Sequence, residues 1–189
     1  MTAASPIYGD AGTPDTARYP IGPLVPKETL TADERSREIA RIAAAPVRLR
    51  KAVEGLRDDQ LDSAYRPGGW TLRQVVHHLA DSHMNAYIRL RLALTESNPT
   101  IKPYDESAWA ELDDARTLPV EPSMILMEKL HERFVSLLRA LSPDMFLRTF
   151  YHPEHKRSLS IDGLVSMYAW HGDHHVAHVE RARKRDGAR

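Results

Sequence analysis

The feature that most restricts how this chain can fold is a helical stripe whose chemistry changes along its length. From residue 160 to about 185 the spacing predicts one long helix. Leu164 and Tyr168 begin a face that His171, His175 and His178 continue. The inward side of a single element therefore passes from apolar to imidazole. Each buried ring nitrogen needs a partner, and three in line are hard to satisfy on one helix. A surface histidine patch would not run on from a core face. Core histidines paired with carboxylates are the other alternative. The i, i+4 spacing of His171 and His175 sets one ring above the other, which suits two ligands of one divalent metal ion. A third ligand has to come from another helix, so the chain must bring at least two long helices face to face.

Other long helices are legible. Thr31-Ala-Asp-Glu34 is a capping box that opens a first helix with Ile39, Ile42, Leu49, Val53 and Leu56 on one face, and Pro46 inside it predicts a kink or a break. Thr71-Leu-Arg-Gln74 is a second capping box, with Trp70 and Val75 placed as a hydrophobic staple. The helix it opens runs to about residue 95 along Leu72, Val75, Val76, Leu79, Tyr87, Leu90 and Leu94. Residues 96–122, with Pro99, Pro103, Pro119 and Pro122, form a connection long enough to cover a site, with a short helix carrying Trp109 near 105–112. A third long helix spans about 123–141, with Leu126, Leu130, Phe134, Leu137, Leu138 and Leu141 inward, and Pro143 opens a one-turn helix through Leu147. Residues 149–158 read as an irregular or hairpin-like loop, and Leu159 and Leu164 stand as a second staple. The pattern is all-α: a four-helix bundle with a long second-to-third helix connection. Residues 1–19 read as a poorly ordered arm and 20–189 as a single domain, of which 20–30 are too proline-rich for a helix and are expected to lie extended on the surface.

The second helix offers His77, His78 and His83 as the third ligand. His83 lies within the apolar stripe while His77 and His78 flank it on opposite sides, so periodicity does not choose. Composition narrows the chemistry instead. With no cysteine, disulfides, zinc–thiolate sites and an internal thiol nucleophile are excluded, and any thiol must arrive as substrate. Lys+Arg and Asp+Glu balance at 26 each, which gives no reason to expect nucleic acid or a membrane surface as partner. No apolar run reaches spanning length and the first residues lack a secretory pattern, so a cytoplasmic location is expected.

Three separated segments carry a resemblance. Trp70-Thr-Leu-Arg-Gln-Val-Val-His-His-Leu-Ala-Asp-Ser-His-Met-Asn85, then Pro103-Tyr-Asp-Glu106, then Phe150-Tyr-His-Pro153 and the run from Tyr168-Ala-Trp-His171 to His178 resemble, in order, the YfiT group of the DinB/YfiT-like superfamily. Tyr19-Pro-Ile-Gly22 resembles that group too, and the likeness covers the chain from about residue 19 to 183. It implies a four-helix bundle in which three histidines bind one zinc or nickel ion per chain. Carried over by position, the ligands are His78, the second residue of the histidine pair, with His171 and His175. Members of the group are described as metal-dependent hydrolases, and characterised relatives as thiol S-transferases, including bacillithiol transferases. Homodimers are usual among them, which makes a homodimer the expectation.

Three histidines with open positions make a site fit for catalysis, activating either water or an incoming thiol. The zinc-protease motif His-Glu-x-x-His would put a glutamate base directly after the first ligand, but Gly172 stands there and Asp173 points away from the stripe. That absence tilts the expectation toward a thiol S-transferase using a low-molecular-weight, bacillithiol-like thiol and an electrophile. A hydrolase is the alternative and a non-catalytic metal-binding bundle the second alternative. Base candidates elsewhere are His83, His152 and Asp105. Asp81, Ser82 and Asn85 could orient ligands or face solvent, and Arg89 and Arg91 could bind an acidic thiol or form helix-surface ion pairs.

Overall fold

The computed structural model describes residues 15–187. The four long helices are α1 (Ala32–Val53), α3 (Leu72–Thr95), α6 (Glu121–Arg139) and α7 (Ile161–Gly187). Between them lie the short α2 (Asp58–Leu61), α4 (Glu106–Ala110) and α5 (Asp113–Thr117), a 3-10 turn at Pro143–Leu147, and an antiparallel hairpin of β1 (Thr149–His152) and β2 (Arg157–Ser160). In the bundle α1 packs on α7 and α6, and α3 packs on the same two. Among the described residues no helix is long and apolar enough to cross a membrane.

Both capping boxes form. Glu34 N donates to Thr31 Oγ1 at 3.2 Å while Thr31 N donates to Glu34 Oε2 at 2.9 Å. Thr71 and Gln74 exchange the same pair of bonds at 3.2 and 2.9 Å. Two expectations are corrected in part. Helix α1 runs through Pro46 without a break, because the proline costs the helix one N–H and not its neighbours' packing: Ile42, Ala45 and Leu49 stay buried around it. Helix α6 buries Phe134 and Leu138 as expected, with Leu130, Leu137 and Leu141 partly buried against the core, but its inward face reaches further round. Met124, Met127, His131, Phe134, Val135 and Leu138 face inward, and Leu126 is 43% exposed. Residues 20–30 form no helix and lie mostly at the surface, as expected, anchored there by buried Leu24 and Leu30. Buried Asp162, in the first turn of α7, holds this segment by accepting from Leu30 N at 2.9 Å and from two guanidinium nitrogens of Arg35 at 2.7 and 2.9 Å. Of the arm read over 1–19, residues 1–14 lie outside the described residues. Residues 15–19 form a turn against α7, where His178 Nε2 lies 3.0 Å from the Arg18 carbonyl.

Two apolar clusters fill the bundle. One gathers Ala86, Leu90, Phe134, Leu164, Val165 and Tyr168; the other gathers Leu49, Leu72, Leu79, Met127, Val176 and Val179. On α7 His171, His174 and His175 lie between the two clusters, as does His83 on α3, whereas His77 and His78 sit among Val75, Val76 and Leu79 of the second, so apolar packing fixes the height at which the two rows of imidazoles meet.

Candidate metal centre

Helices α3 and α7 bring His78, His171 and His175 together. One ring nitrogen from each lies within 4.8 Å of the other two, and His78 Nε2 is 3.2 Å from His171 Nε2. Burial pushes His78 down to about 4 and holds His171 and His175 well below the usual imidazole range, with neighbouring rings adding to the effect on the last two. All three are therefore neutral near pH 7, the form in which imidazole offers a lone pair to a metal. No carboxylate pairs with any of them among the described residues, so the donor set of three converging neutral imidazoles fits a divalent ion. A second group, His174, His175 and His178, also lies within this span. There, however, His178 directs Nε2 at the Arg18 carbonyl, and the ring of His174 is stacked on Trp170 with centroids 4.3 Å apart.

The other histidines of α3 have different surroundings. His77 turns away from the group. Its Nδ1 is 2.7 Å from Ser123 Oγ and its Nε2 3.1 Å from the Leu118 carbonyl, so it fastens the long connection to the start of α6. His83 is fully buried behind His171, its Nε2 3.3 Å from His171 Nδ1 and its Nδ1 2.9 Å from His131 Nε2. His131 in turn sets Nδ1 2.8 Å from the Ile42 carbonyl. His131 lies off the leucine stripe of α6, but Met124, Met127, His131, Phe134 and Leu138 are spaced as a core face that could have marked it.

Two cavities meet at His171. The larger, about 660 Å³, extends past Ser82, Arg89, Tyr104 and His152; the smaller, about 310 Å³, lies over His78, His175 and Trp70. Glu106, Ser107 and Trp170 line both. Glu106, which sequence reasoning quoted only as part of a motif, has its carboxyl raised by partial desolvation and by Glu154 and Asp105. Asp105 lines the larger cavity and also caps α4, accepting from Ala108 N at 2.9 Å. His152 is stacked on His155 with centroids 4.1 Å apart and is pushed down to about 4, chiefly by burial. Asn85 and Arg91 are spent locally, on the Asp81 carbonyl at 2.9 Å and the Tyr87 hydroxyl at 3.0 Å.

Packing explains the missing glutamate. A Cβ on Gly172 would stand 3.1 Å from Ala45 Cβ, so this side of α7 is closed by α1. Asp173 pairs with Arg41 at 2.8 Å and with Arg48, both on α1, and is a clamp between helices.

A sequence profile of the DinB superfamily matches residues 41–179. The chain belongs to the DinB superfamily. Within it, YfiT of Bacillus subtilis is 47% identical over 169 residues, covering 89% of this chain and 95% of that protein. A relative from Oceanobacillus iheyensis is 54% identical over 168 residues, covering 89% and 96%. Both carry the provisional name of metal-dependent hydrolase. The solved structure of YfiT, described as a probable metal-dependent hydrolase with an unusual four-helix bundle topology, superimposes with a TM-score of 0.89 at 46% identity, over 91% of this chain and 98% of that one. This superfamily member is thus a four-helix bundle whose relatives are named for metal-dependent chemistry.

Proposed function

We propose that this protein is an enzyme that holds one divalent ion, zinc or nickel, with His78, His171 and His175, and that it transfers a small thiol to an electrophile. The observation that carries the reading is the meeting of two separate cavities at one ligand, His171, which gives two substrates a wall each and a shared point of contact. An ion in that group supplies Lewis acidity, which lowers the pKa of a thiol toward neutrality. In the transfer the thiol gives up its proton to solvent, its sulfur bonds the electrophilic carbon, and the leaving group departs with the bonding pair. Arg89, half-buried in the larger cavity, is suited to an anionic group on either substrate. Trp70 and Trp170 supply apolar walls and exclude water.

A second reading, hydrolysis, rests on Glu106. Its raised carboxyl stands at both cavities and is placed to take a proton from water.

The protein purified without a histidine tag is expected to carry, or to take up on reconstitution, one zinc or nickel ion per chain. Failure to retain any would remove the premise of both readings. Monochlorobimane offered with bacillithiol, glutathione, mycothiol, coenzyme A or cysteine is expected to turn over with one thiol, and His171→Ala to abolish turnover while staying folded. Silence with every thiol, together with metal-dependent ester or amide cleavage lost in Glu106→Gln, would establish the hydrolase instead.

A further inference from the structure

We infer that His131, His83 and the Ile42 carbonyl freed by Pro46 form a hydrogen-bonded relay whose polarity is set by that carbonyl, and that its task is to present the Nε2 lone pair of His171 to the metal position. This inference rests on the metal reading of the site only for its purpose; the relay itself is a statement about three ring tautomers.

The relay begins in α1. In a continuous helix the Ile42 carbonyl accepts from the N–H of residue 46. Residue 46 is proline and has no N–H, so that carbonyl is left open in the middle of the helix. Ile42 is fully buried, and water cannot fill the vacancy cheaply. His131, from α6, does so with Nδ1 at 2.8 Å. A carbonyl can only accept, so His131 carries its proton on Nδ1. The ring is buried and neutral, its pKa pushed to about 4 by desolvation, which leaves Nε2 as an acceptor. The only ring nitrogen facing it among the described residues is His83 Nδ1, at 2.9 Å, which must therefore be the donor. His83 Nε2 is then an acceptor, and His171 Nδ1 at 3.3 Å donates to it. The last consequence is that His171 has its lone pair on Nε2, the atom that faces His78 Nε2 at 3.2 Å.

One end of this relay is thus a carbonyl that a proline frees, in a helix that touches neither cavity, and the other is a ligand atom. The same device recurs on the second ligand of α7. The Arg18 carbonyl fixes the proton of His178 on Nε2 at 3.0 Å, and His178 Nδ1 faces His175 Nδ1 at 3.4 Å, which leaves His175 Nε2 for the metal position. Partners that fix the tautomer and orientation of a ligating imidazole also raise its basicity. His83 and His131 are on this account positioning residues. Full burial behind His171 removes His83 from the general bases, a role its sequence position had left open.

The test has two parts. Long-range proton–nitrogen NMR of the metal-free, full-length protein at pH 8 is expected to show His131, His83 and His171 as Nδ1–H tautomers. A proton on Nε2 of His171 would overturn the relay. Chelator competition with zinc or nickel is then expected to show His131→Leu about 10- to 100-fold weaker than wild type. His131→Gln can still accept from His83 and donate to the Ile42 carbonyl, so it is expected within about threefold of wild type. Equal loss in both variants, or no loss in either, with both folded by circular dichroism, would overturn the proposal. Should His131→Leu fail to fold, the tautomers and the Gln variant still decide it. If the wild type binds neither ion while His171 is an Nδ1–H tautomer, the metal reading fails and the relay stands. Tight metal binding with His171 protonated on Nε2 in the metal-free state has the opposite meaning.

Discussion

Asp162 and Asp81 are both withdrawn from water, with opposite consequences. Asp162 has no exposed surface, but its oxygens accept from Arg35 and from Leu30 N, and the pair joins α7 to α1 and to the segment before it. Asp162→Ala would leave the Arg35 guanidinium, 13% exposed, without a counterion. The expected loss is about 3 kcal/mol, read from urea denaturation. Asp81 is half-buried and forms no ion pair among the described residues, and burial with help from Asp114 raises it to about 6. Its folded pKa lies above the ordinary 3.8, so the folded state binds the proton more tightly than the unfolded chain between about pH 4 and 6. Stability is therefore lost as pH rises through that window, and the deficit is complete above it. Asp81→Asn is expected to gain about 1 kcal/mol at pH 8, a value discounted for partial solvent access, and nothing at pH 4. An equal gain at both pH values would show that the carboxylate charge is not its source.

At the scale of elements, the seam between α1 and α7 determines what chemistry the site can use. Gly172 lets α7 approach Ala45, while Asp173 with Arg41 and Arg48 clamps the same turn. Gly172→Ala gains about 1 kcal/mol of helix propensity but presses a methyl onto a packed neighbour, at a cost of roughly 1–3 kcal/mol. A net loss of about 1 kcal/mol is expected, seen as a lowered melting temperature. Gly172→Glu, which would recreate the protease motif, is expected to lose several times more stability and to gain no hydrolysis, because its carboxylate would be driven into α1. A folded Gly172→Glu with new amidase activity would show that the seam can open. This seam also marks the limit of what the sequence made legible. The capping boxes and the His171/His175 spacing are local, each contained within a turn or so of helix, and both appeared as read. Periodicity left His77 and His78 open because the two flank the same stripe; the resemblance chose His78, and the rotation of α3 against α7 brings that ring, not His77, beside His171 and His175. His131 was visible only as one polar position on an apolar face. Its partner, the carbonyl freed by Pro46, lies on another helix, and no pattern within α6 could have pointed to it.

For the whole molecule, the concentration of imidazole within the apolar bundle sets the response to pH and to metal. Burial lowers His78, His131 and His178 to about 4 and His174 to about 3, so these rings fold neutral. In the unfolded chain they titrate near the ordinary 6.5, and below that pH the unfolded state binds more protons. The stability they contribute is whole above about pH 6.5 and is lost as pH falls toward 4. Each ring contributes a slope of up to about 1.4 kcal/mol per pH unit. With four or more such rings, the metal-free protein is expected to lose most of its stability by pH 5, since a domain has only about 5–15 kcal/mol to lose. A ligand that binds only the folded state stabilises it by mass action, and a metal at 100 times its Kd adds about 2.7 kcal/mol. Zinc or nickel should therefore raise the urea midpoint clearly at pH 7.5 and little at pH 5, where protons compete for the same nitrogens. The measurement is a set of urea midpoints at pH 7.5, 6 and 5, with metal and with chelator. A chelated protein whose midpoint stays flat from pH 7.5 to 5 would mean that the imidazoles are not held neutral by burial. A metal effect equally large at pH 5 and 7.5 would mean that the ion binds away from the histidines.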